Sequence, residues 1–397
     1  MVVVMMHRIL LCLFALAIST HAAVQLGIDV LADRDFDAVR GKRIGLITNQ
    51  TGVNAAGVKT RVILKKAPGV QLVALFAPEH GIDGTIAAAK YVANRKDSVT
   101  GLPVYSLYGP TRKPTPDMLR GLDALVFDMQ DIGVRSYTYV STMAKAMEAA
   151  GEAGIEFIVL DRPNPLGGNR IEGPGIEEKW RSFIGQLPTP YIHGMTIGEL
   201  ARMSNAKGWM EKRCKLTVIP MGGWTRSMTW PDTGLRWVQT SPNIPNVSSV
   251  AGYAATSIYG SLSGSGFDVG IGTGSPFLMA GAAGADGGAF ASEVSRSGAS
   301  ASPYKRESFG GARINVSPKS SANLAAVNVY LLSAAEKHRA DIFARYRDAD
   351  AIFWKAYGST NIKSQIERGT SPASIVASWE SVVSSFRAAR QPYLIYQ

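Results

Sequence analysis

The chain has 397 residues, of which 46% are hydrophobic and 18% charged, and its formal net charge is +11. This length and composition allow two folded domains, so extensive disorder is excluded. The 41 glycines and 20 prolines follow no fixed period, which excludes collagen-like and solenoid architectures. Two cysteines exclude a disulfide framework and a four-thiolate metal site. The scattered basic residues do not predict nucleic-acid binding, but they suit an acidic carbohydrate or a small anion.

The first 23 residues have the pattern of a secretory signal peptide. A basic flank, His7-Arg8, precedes an apolar run at 9–18 and a small-residue cleavage site at 19–23. The run is shorter than the roughly 20 residues that a membrane anchor needs, and an uncleaved anchor is the alternative. We therefore expect a soluble periplasmic or secreted protein that begins near Val24 and has no membrane span after signal removal.

Four short apolar runs each end in polar residues, at 43–50, 71–81, 124–131 and 157–164. Nearly continuous Val, Ile and Leu stretches indicate strands that are buried on both faces of a parallel sheet. Helical patterns lie between or after them, at 56–66, 141–153 and 196–205. Thr196 stands three residues before Glu199, which is the spacing of a capping box. The alternation predicts an α/β domain with a parallel sheet over residues 24–255.

The sequence changes in character after residue 255. Residues 257–275 are rich in glycine and serine, and residues 280–302 are again small and polar, so both segments are predicted as loops or a linker. Helical patterns return at 321–337 and 371–389. We predict a smaller second domain over residues 256–397.

Chemically capable side chains follow the predicted strands. In an α/β sheet, ligands bind beyond the carboxyl ends of the strands. This edge carries Asn49, Glu79, Asp128, Asp131, Asp161 and Arg162. Glu79 lies at the rim of an apolar core, where desolvation favours a protonated carboxyl that can act as a general acid. The alternative for these acids is a structural role, with Asp161-Arg162 and Asp131 with Arg135 as candidate ion pairs.

Other kinds of site are disfavoured. Gly270-Ile271-Gly272-Thr273-Gly274 lacks the glycine spacing of a dinucleotide site, and the chain has neither a P-loop nor a His-Glu-x-x-His motif. The three histidines beyond the signal region are far apart in sequence, so no metal site and no cofactor are predicted. No nucleophile elbow follows a convincing strand, which leaves an esterase or amidase using Ser261, Ser263 or Ser265 as a minor alternative.

An ordered set of motifs resembles a bacterial family. The matching stretches cover nearly all of the mature chain: 41–52, 76–81, 100–109, 127–139, 160–168, 193–200, 241–245 and, near the end, 371–394. Together they resemble the exo-β-N-acetylmuramidases of peptidoglycan turnover, a family formerly described as the domain of unknown function DUF1343. The resemblance implies a Rossmann-like N-terminal domain, a smaller α+β C-terminal domain, and a cleft that removes non-reducing-end N-acetylmuramic acid from peptidoglycan-derived muropeptides or glycan ends.

The resemblance also implies roles for individual residues. Glu79, in Pro-Glu-His-Gly, falls on the catalytic acid, and Asp128, Asp131, Tyr137 and the substrate's acetamido oxygen are alternatives for the second catalytic group. Substrate binding is predicted for Asn49, His80, Gln130, Asp131, Arg135, Asp161, Arg162 and Asn164. Muramic acid carries a lactyl carboxylate, and a guanidinium fork from Arg135 or Arg162 would suit it.

The chain departs from the family pattern in two places. Residues 259–275 lack the glutamate and the arginine that relatives carry before Pro276-Phe277, and Ala88-Ala89-Lys90 replaces an acidic Ala-Gly-Glu. The sequence therefore predicts a glycoside hydrolase, with a non-catalytic muropeptide- or sugar-binding protein as the alternative.

Overall fold

The computed structural model describes residues 23–262, 266–344 and 352–397. The predicted signal peptide, apart from Ala23, lies outside these residues. In the described part of the chain, no helix is both long and apolar enough to cross a membrane.

The N-terminal domain is a seven-stranded sheet with helices on both faces. Its strands are β1 (Arg43–Thr48), β2 (Gln71–Ala77), β3 (Arg95–Lys96), β4 (Pro103–Ser106), β5 (Ala124–Asp128), β6 (Glu156–Leu160) and β7 (Lys215–Ile219). Its helices are α1 (Gly27–Asp33), α2 (Thr60–Lys66), α3 (Pro116–Leu119), α4 (Tyr139–Ala153) and α5 (Ile197–Lys207). The spatial order is β3-β4-β2-β1-β5-β6-β7, and only the edge pair β3 and β4 is antiparallel. The predicted α/β parallel-sheet domain is confirmed.

The central strands have apolar side chains on both faces because alternate residues enter different cores. In β5, Val126 packs with the layer that contains α1 and α2, whereas Phe127 faces the layer that contains α4. Ile158 and Val159 divide in the same way in β6. This double burial explains why these strands are continuous apolar runs in the sequence.

The C-terminal domain is built on a smaller antiparallel sheet with the order β10-β11-β9-β8. Its strands are β8 (Phe267–Asp268), β9 (Met279–Ala283), β10 (Ser300–Arg306) and β11 (Phe309–Asn315). The helices are α6 (Val247–Gly260), α7 (Gly287–Ser295), α8 (Leu324–His338), α9 (Ile352–Tyr357), α10 (Asn361–Glu367), α11 (Pro372–Ala377) and α12 (Glu380–Ala389). The proposed division at 255/256 falls inside α6. One hydrophobic cluster extends from the α4 side of the large sheet to α8.

The loop prediction for 257–275 and 280–302 is wrong in large part. Helix α6 continues to Gly260, and the second segment contains most of β9, all of α7 and the start of β10. The small residues serve close packing: a Cβ on Gly281 would lie 2.2 Å from the carbonyl oxygen of Gly310, and one on Gly287 would lie 2.8 Å from that of Tyr304. A composition typical of loops therefore marks elements whose backbones approach closely.

Two helix predictions also differ from the structure. The helix predicted over 56–66 begins only at Thr60, because Asn54 and Gly57 form a turn in which Gly57 has φ +82°. The helix predicted over 371–389 is divided into α11 and α12, which meet at the buried Trp379. The capping box of α5 is confirmed, since Glu199 N donates to Thr196 Oγ1 and Thr196 N donates to Glu199 Oε2.

The C-terminal tail returns to the N-terminal domain. The Tyr396 hydroxyl donates to Asp161 Oδ2 at 2.6 Å, and Ile395 N donates to Glu199 Oε1 at 2.9 Å. Arg226 N donates to the carbonyl oxygen of Gln397 at 2.8 Å. The tail thus completes a buried polar network beside β6 and α5.

Candidate active site

The polar residues predicted to cluster do lie at one edge of the large sheet. Asn49 follows β1, Glu79 follows β2, Gln130 follows β5 and Arg162 follows β6. Parallel pairing aligns the ends of these strands, with Thr48 opposite Asp128. The chain runs from β1 to β2 on one side and from β5 to β6 on the other side of the sheet. These opposite connections leave a crevice between the ends of β1 and β5, which is the position where α/β sheets bind ligands.

Glu79 lies at the margin of this edge, with 9% of its surface exposed. Its Oε1 accepts a hydrogen bond from Ala89 N at 3.0 Å, and its Oε2 accepts one from Thr138 Oγ1 at 2.7 Å. No lysine or arginine in the described part of the chain forms an ion pair with it. A hydroxyl can accept as well as donate, so the contact with Thr138 can hold Glu79 in either protonation state.

The residues next to Glu79 shape a tight turn. His80 has φ +69°, which is uncommon for a residue with a side chain, and its Nδ1 lies 2.7 Å from the carbonyl oxygen of Ile86. The phenol of Tyr108 also lies close, and burial together with the Glu79 carboxylate raises the pKa of Tyr108. His80 therefore fixes the course of the loop that brings Ala89 back to Glu79.

A tyrosine cluster covers the other side of Glu79. The Tyr137 ring lies 4.9 Å from that of Tyr139 and 5.7 Å from that of Tyr253, in edge-on arrangements. The Tyr137 hydroxyl donates to Thr240 Oγ1 at 2.9 Å, and the Tyr139 hydroxyl donates to the Thr240 carbonyl at 2.5 Å. Burial raises the pKa of Tyr137, so its phenol is a neutral hydrogen-bonding group at neutral pH.

Asp128 and Arg162 form a buried ion pair. Arg162 Nε donates to Asp128 Oδ1 at 2.5 Å, and Arg162 Nη2 donates to Oδ2 at 2.9 Å. The Thr60 hydroxyl also donates to Asp128 Oδ2, and Arg162 Nη2 also donates to the carbonyl of Val53. The predicted pair Asp161-Arg162 is therefore wrong, because the side-by-side placement of β5 and β6 gives Arg162 a different carboxylate.

Arg135 and Asp161 are also engaged by the protein itself. The two terminal nitrogens of Arg135 donate to carbonyls in separate parts of the chain: Pro174, Thr189, Ala356 and Tyr357. Burial lowers the pKa of Arg135 to about 10. Its predicted pairing with Asp131 is wrong, since these four carbonyls surround the guanidinium. Asp161 accepts from Arg162 N, Gly198 N, Thr196 Oγ1 and Tyr396 Oη, and burial raises its pKa to about 6.

The three predicted amide residues differ in their free hydrogen-bonding capacity. Both polar atoms of Asn164 have a partner, since Nδ2 donates to the Met195 carbonyl and Oδ1 accepts from Leu166 N. Asn49 Oδ1 accepts two hydrogen bonds from Thr51, whereas its buried Nδ2 has no partner. Gln130 Nε2 donates to two carbonyls, whereas its buried Oε1 has no partner. Asn49 and Gln130 therefore retain polar atoms that could meet a substrate.

Asp131 is a predicted site residue whose carboxyl has a pKa near neutrality. Its Oδ2 accepts from Gly133 N at 2.7 Å, and its buried Oδ1 has no partner. Burial raises its pKa from 3.8 to about 7. The folded protein therefore holds the Asp131 proton more tightly than the unfolded chain does.

This shift predicts a pH-dependent effect of Asp131→Asn on stability. The folded pKa exceeds the unfolded value, so Asp131 favours the fold at low pH, and this contribution is lost as the pH rises from about 4 to about 7. Asparagine does not titrate in this range. The free energy of unfolding of the variant minus that of the parent should therefore be larger at pH 8 than at pH 4, by at most about 4 kcal/mol. Denaturant unfolding at both pH values measures the difference, with Asp117→Asn as an exposed control. A constant difference would contradict the shift.

The described part of the chain has cavities near this edge, of which we consider the two larger ones. One, of about 330 Å³, lies at the ends of β1, β5 and β6 and is lined by Gln130, Arg162, Arg236 and Trp237, among others. The second, of about 160 Å³, lies beneath the loop that carries His80. A wider cleft of about 760 Å³ lies elsewhere, between Pro174–Glu177 and α12. We refer to the 330 Å³ cavity as the switch-point pocket.

Sequence reasoning missed several residues around Glu79. Thr138 and Tyr139 belong to the motif at 127–139, from which Asp128, Gln130, Asp131, Arg135 and Tyr137 are the predicted site residues. Tyr108 lies in the recognised stretch 100–109, but it was not predicted as a site residue, and Thr240 and Tyr253 lie outside the recognised stretches. Among the minor alternatives, the Ser261 hydroxyl donates to the Ile258 carbonyl, while Ser263 and Ser265 lie outside the described residues.

Two family models match the chain, one over its N-terminal part and one over its C-terminal part. Family models described as "Exo-beta-N-acetylmuramidase NamZ, N-terminal" and "Exo-beta-N-acetylmuramidase NamZ, C-terminal" match residues 44–248 and 252–396. The chain belongs to the NamZ exo-β-N-acetylmuramidase family. It is therefore a glycoside hydrolase by family, which agrees with the resemblance inferred from the motifs.

One relative and two solved structures extend the comparison. The peptidoglycan β-N-acetylmuramidase NamZ of Bacillus subtilis strain 168 is 40% identical over 385 residues, which cover 94% of this chain and 91% of that protein. A DUF1343 family protein of Bacteroides fragilis NCTC 9343 has a TM-score of 0.86 and 39% identity, covering 94% of this chain and 99% of its own. A second from that organism has a TM-score of 0.72 and 28% identity, with coverage of 95% and 99%.

Proposed function

We propose that the protein is an exo-acting glycosidase that releases non-reducing-end N-acetylmuramic acid from peptidoglycan fragments, with Glu79 as the general acid. The family membership along both domains supports the reaction. The geometry of Glu79 supports its role: the carboxyl lies at the ligand-binding edge, has no cationic partner among the described residues, and is oriented by Thr138 and Ala89. A carboxyl in this setting can deliver a proton to the leaving glycosidic oxygen.

The contacts narrow the candidates for the second catalytic group. Both oxygens of Asp128 are engaged by Arg162 and Thr60, so we assign Asp128 to holding the strand ends together. Tyr137 is a neutral phenol, so we assign it to hydrogen bonding near the sugar. Asp131, which retains an unpartnered oxygen, and the substrate's own acetamido oxygen are the candidates that fit the role of stabilising the oxocarbenium-like centre.

The test is a product assay with defined muropeptide disaccharides. Purified mature protein is incubated with a disaccharide that carries N-acetylmuramic acid at the non-reducing end, and the products are identified by mass. We expect free N-acetylmuramic acid and no loss of acetate or peptide. A matched disaccharide with N-acetylglucosamine at that end is the control. Release of acetate or peptide alone would instead support an esterase or amidase.

A non-catalytic sugar-binding protein is the second candidate. It is favoured by one observation, the lack of glutamate and arginine in residues 259–275. The same assay separates the two, because a binding protein retains muropeptides in calorimetry without releasing monosaccharide.

We further propose that the protein is exported through cleavage of its first 23 residues and acts in the periplasm or outside the cell. The apolar run and small-residue site at the N-terminus support this proposal. Mass measurement of the exported protein tests it, with an N-terminus near Val24 expected.

A further inference from the structure

We infer that the switch-point pocket binds the N-acetylmuramic acid unit itself, with Arg236 as the partner of its lactyl carboxylate and Trp237 as a stacking face for its ring. The inference rests on the proposed function for the identity of the sugar. It adds a binding residue, Arg236, that the sequence analysis did not select.

The first argument is that both arginines predicted to bind the lactyl carboxylate are already engaged within the protein. Arg135 is buried among four backbone carbonyls, and Arg162 is committed to Asp128 and Val53 through Nε and Nη2. Neither presents a free guanidinium fork. Arg236 lines the pocket, is exposed, and forms no ion pair or hydrogen bond with any described side chain. A guanidinium in this state can form a bidentate pair with an incoming carboxylate.

The second argument is the charge of the pocket wall. Two arginines line it, and no aspartate or glutamate does. The acids nearby are already engaged: Asp128 is paired with Arg162, and the Asp29 carboxylate accepts from the backbone nitrogens of Leu26 and Ala55. The positive charge of Arg236 is therefore available to a ligand. A neutral amino sugar would not use it, whereas a carboxylated one would.

The third argument is the set of uncharged groups in the wall. Trp237 and Trp230 meet edge-on at 4.9 Å, which places aromatic surface beside the cavity, where sugar rings can pack. Gln130 and Trp230 are 3% and 6% exposed, and Gln130 Oε1 and Trp230 Nε1 are buried without partners. Unpartnered buried polar atoms cost free energy, so both residues have hydrogen-bonding capacity left within the pocket wall.

Hydrogen bonds link the wall of the pocket to the residues that surround Glu79. Gln239, which lines the pocket, and Thr240 next to it both accept hydrogen bonds from Gln50 Nε2. Thr240 in turn accepts from Tyr137 and Tyr139, which flank Thr138, the hydrogen-bond partner of Glu79. The volume of about 330 Å³ is at the lower end for small-molecule sites, which fits one sugar unit at a chain end better than a long glycan.

The experiment measures binding of free sugars by tryptophan fluorescence and calorimetry. We expect the parent to bind N-acetylmuramic acid at least about 10-fold more tightly than N-acetylglucosamine, because only the former carries the carboxylate. Arg236→Gln should lose this preference while its affinity for N-acetylglucosamine is unchanged. Arg236→Lys should keep part of it, since the charge remains. Arg120→Gln, an exposed arginine on another surface, should match the parent.

Several results would overturn the inference. These are an Arg236→Gln variant that retains the preference, equal affinity of the parent for the two sugars, or no binding of either sugar. Failure of the proposed function has a different signature, namely the absence of N-acetylmuramic acid release by the parent. Binding of free sugars requires no hydrolysis, so repeating the titration with Glu79→Gln separates the two questions.

Discussion

Replacing Glu79 by glutamine is expected to lower the release of N-acetylmuramic acid by about 10²-fold or more. Glutamine keeps the length and shape of the side chain, and its oxygen can accept the hydrogen bond from either Thr138 or Ala89. It carries no acidic proton, so it cannot assist departure of the leaving group. Turnover of a chromogenic muramic acid glycoside measures the effect.

Two controls make the Glu79 result specific. Glu367→Gln changes an exposed glutamate on α10 and should leave turnover unchanged. The chromogenic substrate is then compared with one whose leaving group is a better acid, since such a group needs less protonation and the loss in Glu79→Gln should be smaller. Full activity of Glu79→Gln on both substrates would reject the general-acid role.

We expect the substitution Arg162→Ala to lower the free energy of unfolding by about 3–5 kcal/mol, the largest loss of stability among the variants proposed for this protein. The side chains of Arg162 and Asp128 are 3% and 1% exposed, so the variant leaves the Asp128 carboxylate in a dry environment with only the Thr60 hydroxyl as a side-chain partner. The position of this pair, between β5 and β6, ties the two strand ends together. Urea denaturation measures the change.

The matched control for Arg162 is another arginine in an ion pair. Arg120 pairs with Asp117, and both side chains are about 80% exposed. Water screens this surface pair, so Arg120→Ala should change the free energy of unfolding by less than about 1 kcal/mol. Equal losses in the two variants would show that burial of the Asp128–Arg162 pair does not matter.

The strands of the large sheet could be predicted because double burial leaves a local signal. Residues 124–127, for example, are all apolar, and a continuous apolar run of this short length indicates a strand that is buried on both faces. The C-terminal domain gives no such signal. Strands β9 and β11 and helix α7 are rich in Gly and Ala. Gly281 and Gly287 lie against backbone atoms of neighbouring elements, and this composition is shared with loops.

The edge that carries the site was predictable, whereas the partners of its residues were not. Strand ends in a parallel sheet coincide, so Asn49, Glu79 and Gln130 could be placed together without knowing any contact. Arg135 receives two carbonyls from residues 356–357, more than 220 residues later in the chain, and only the folded arrangement reveals this. Arg236 was missed because one exposed arginine in a loop has no local pattern that distinguishes it.

The C-terminal tail also constrains when the N-terminal domain can mature during synthesis. Tyr396 follows Asp161 by 235 residues, and its hydroxyl supplies one of the four hydrogen bonds to that buried carboxylate. A ribosome that has translated only the first domain therefore carries a nascent chain in which this carboxylate is short of a donor. The first domain therefore reaches its complete set of hydrogen bonds only after residue 396 has been synthesised.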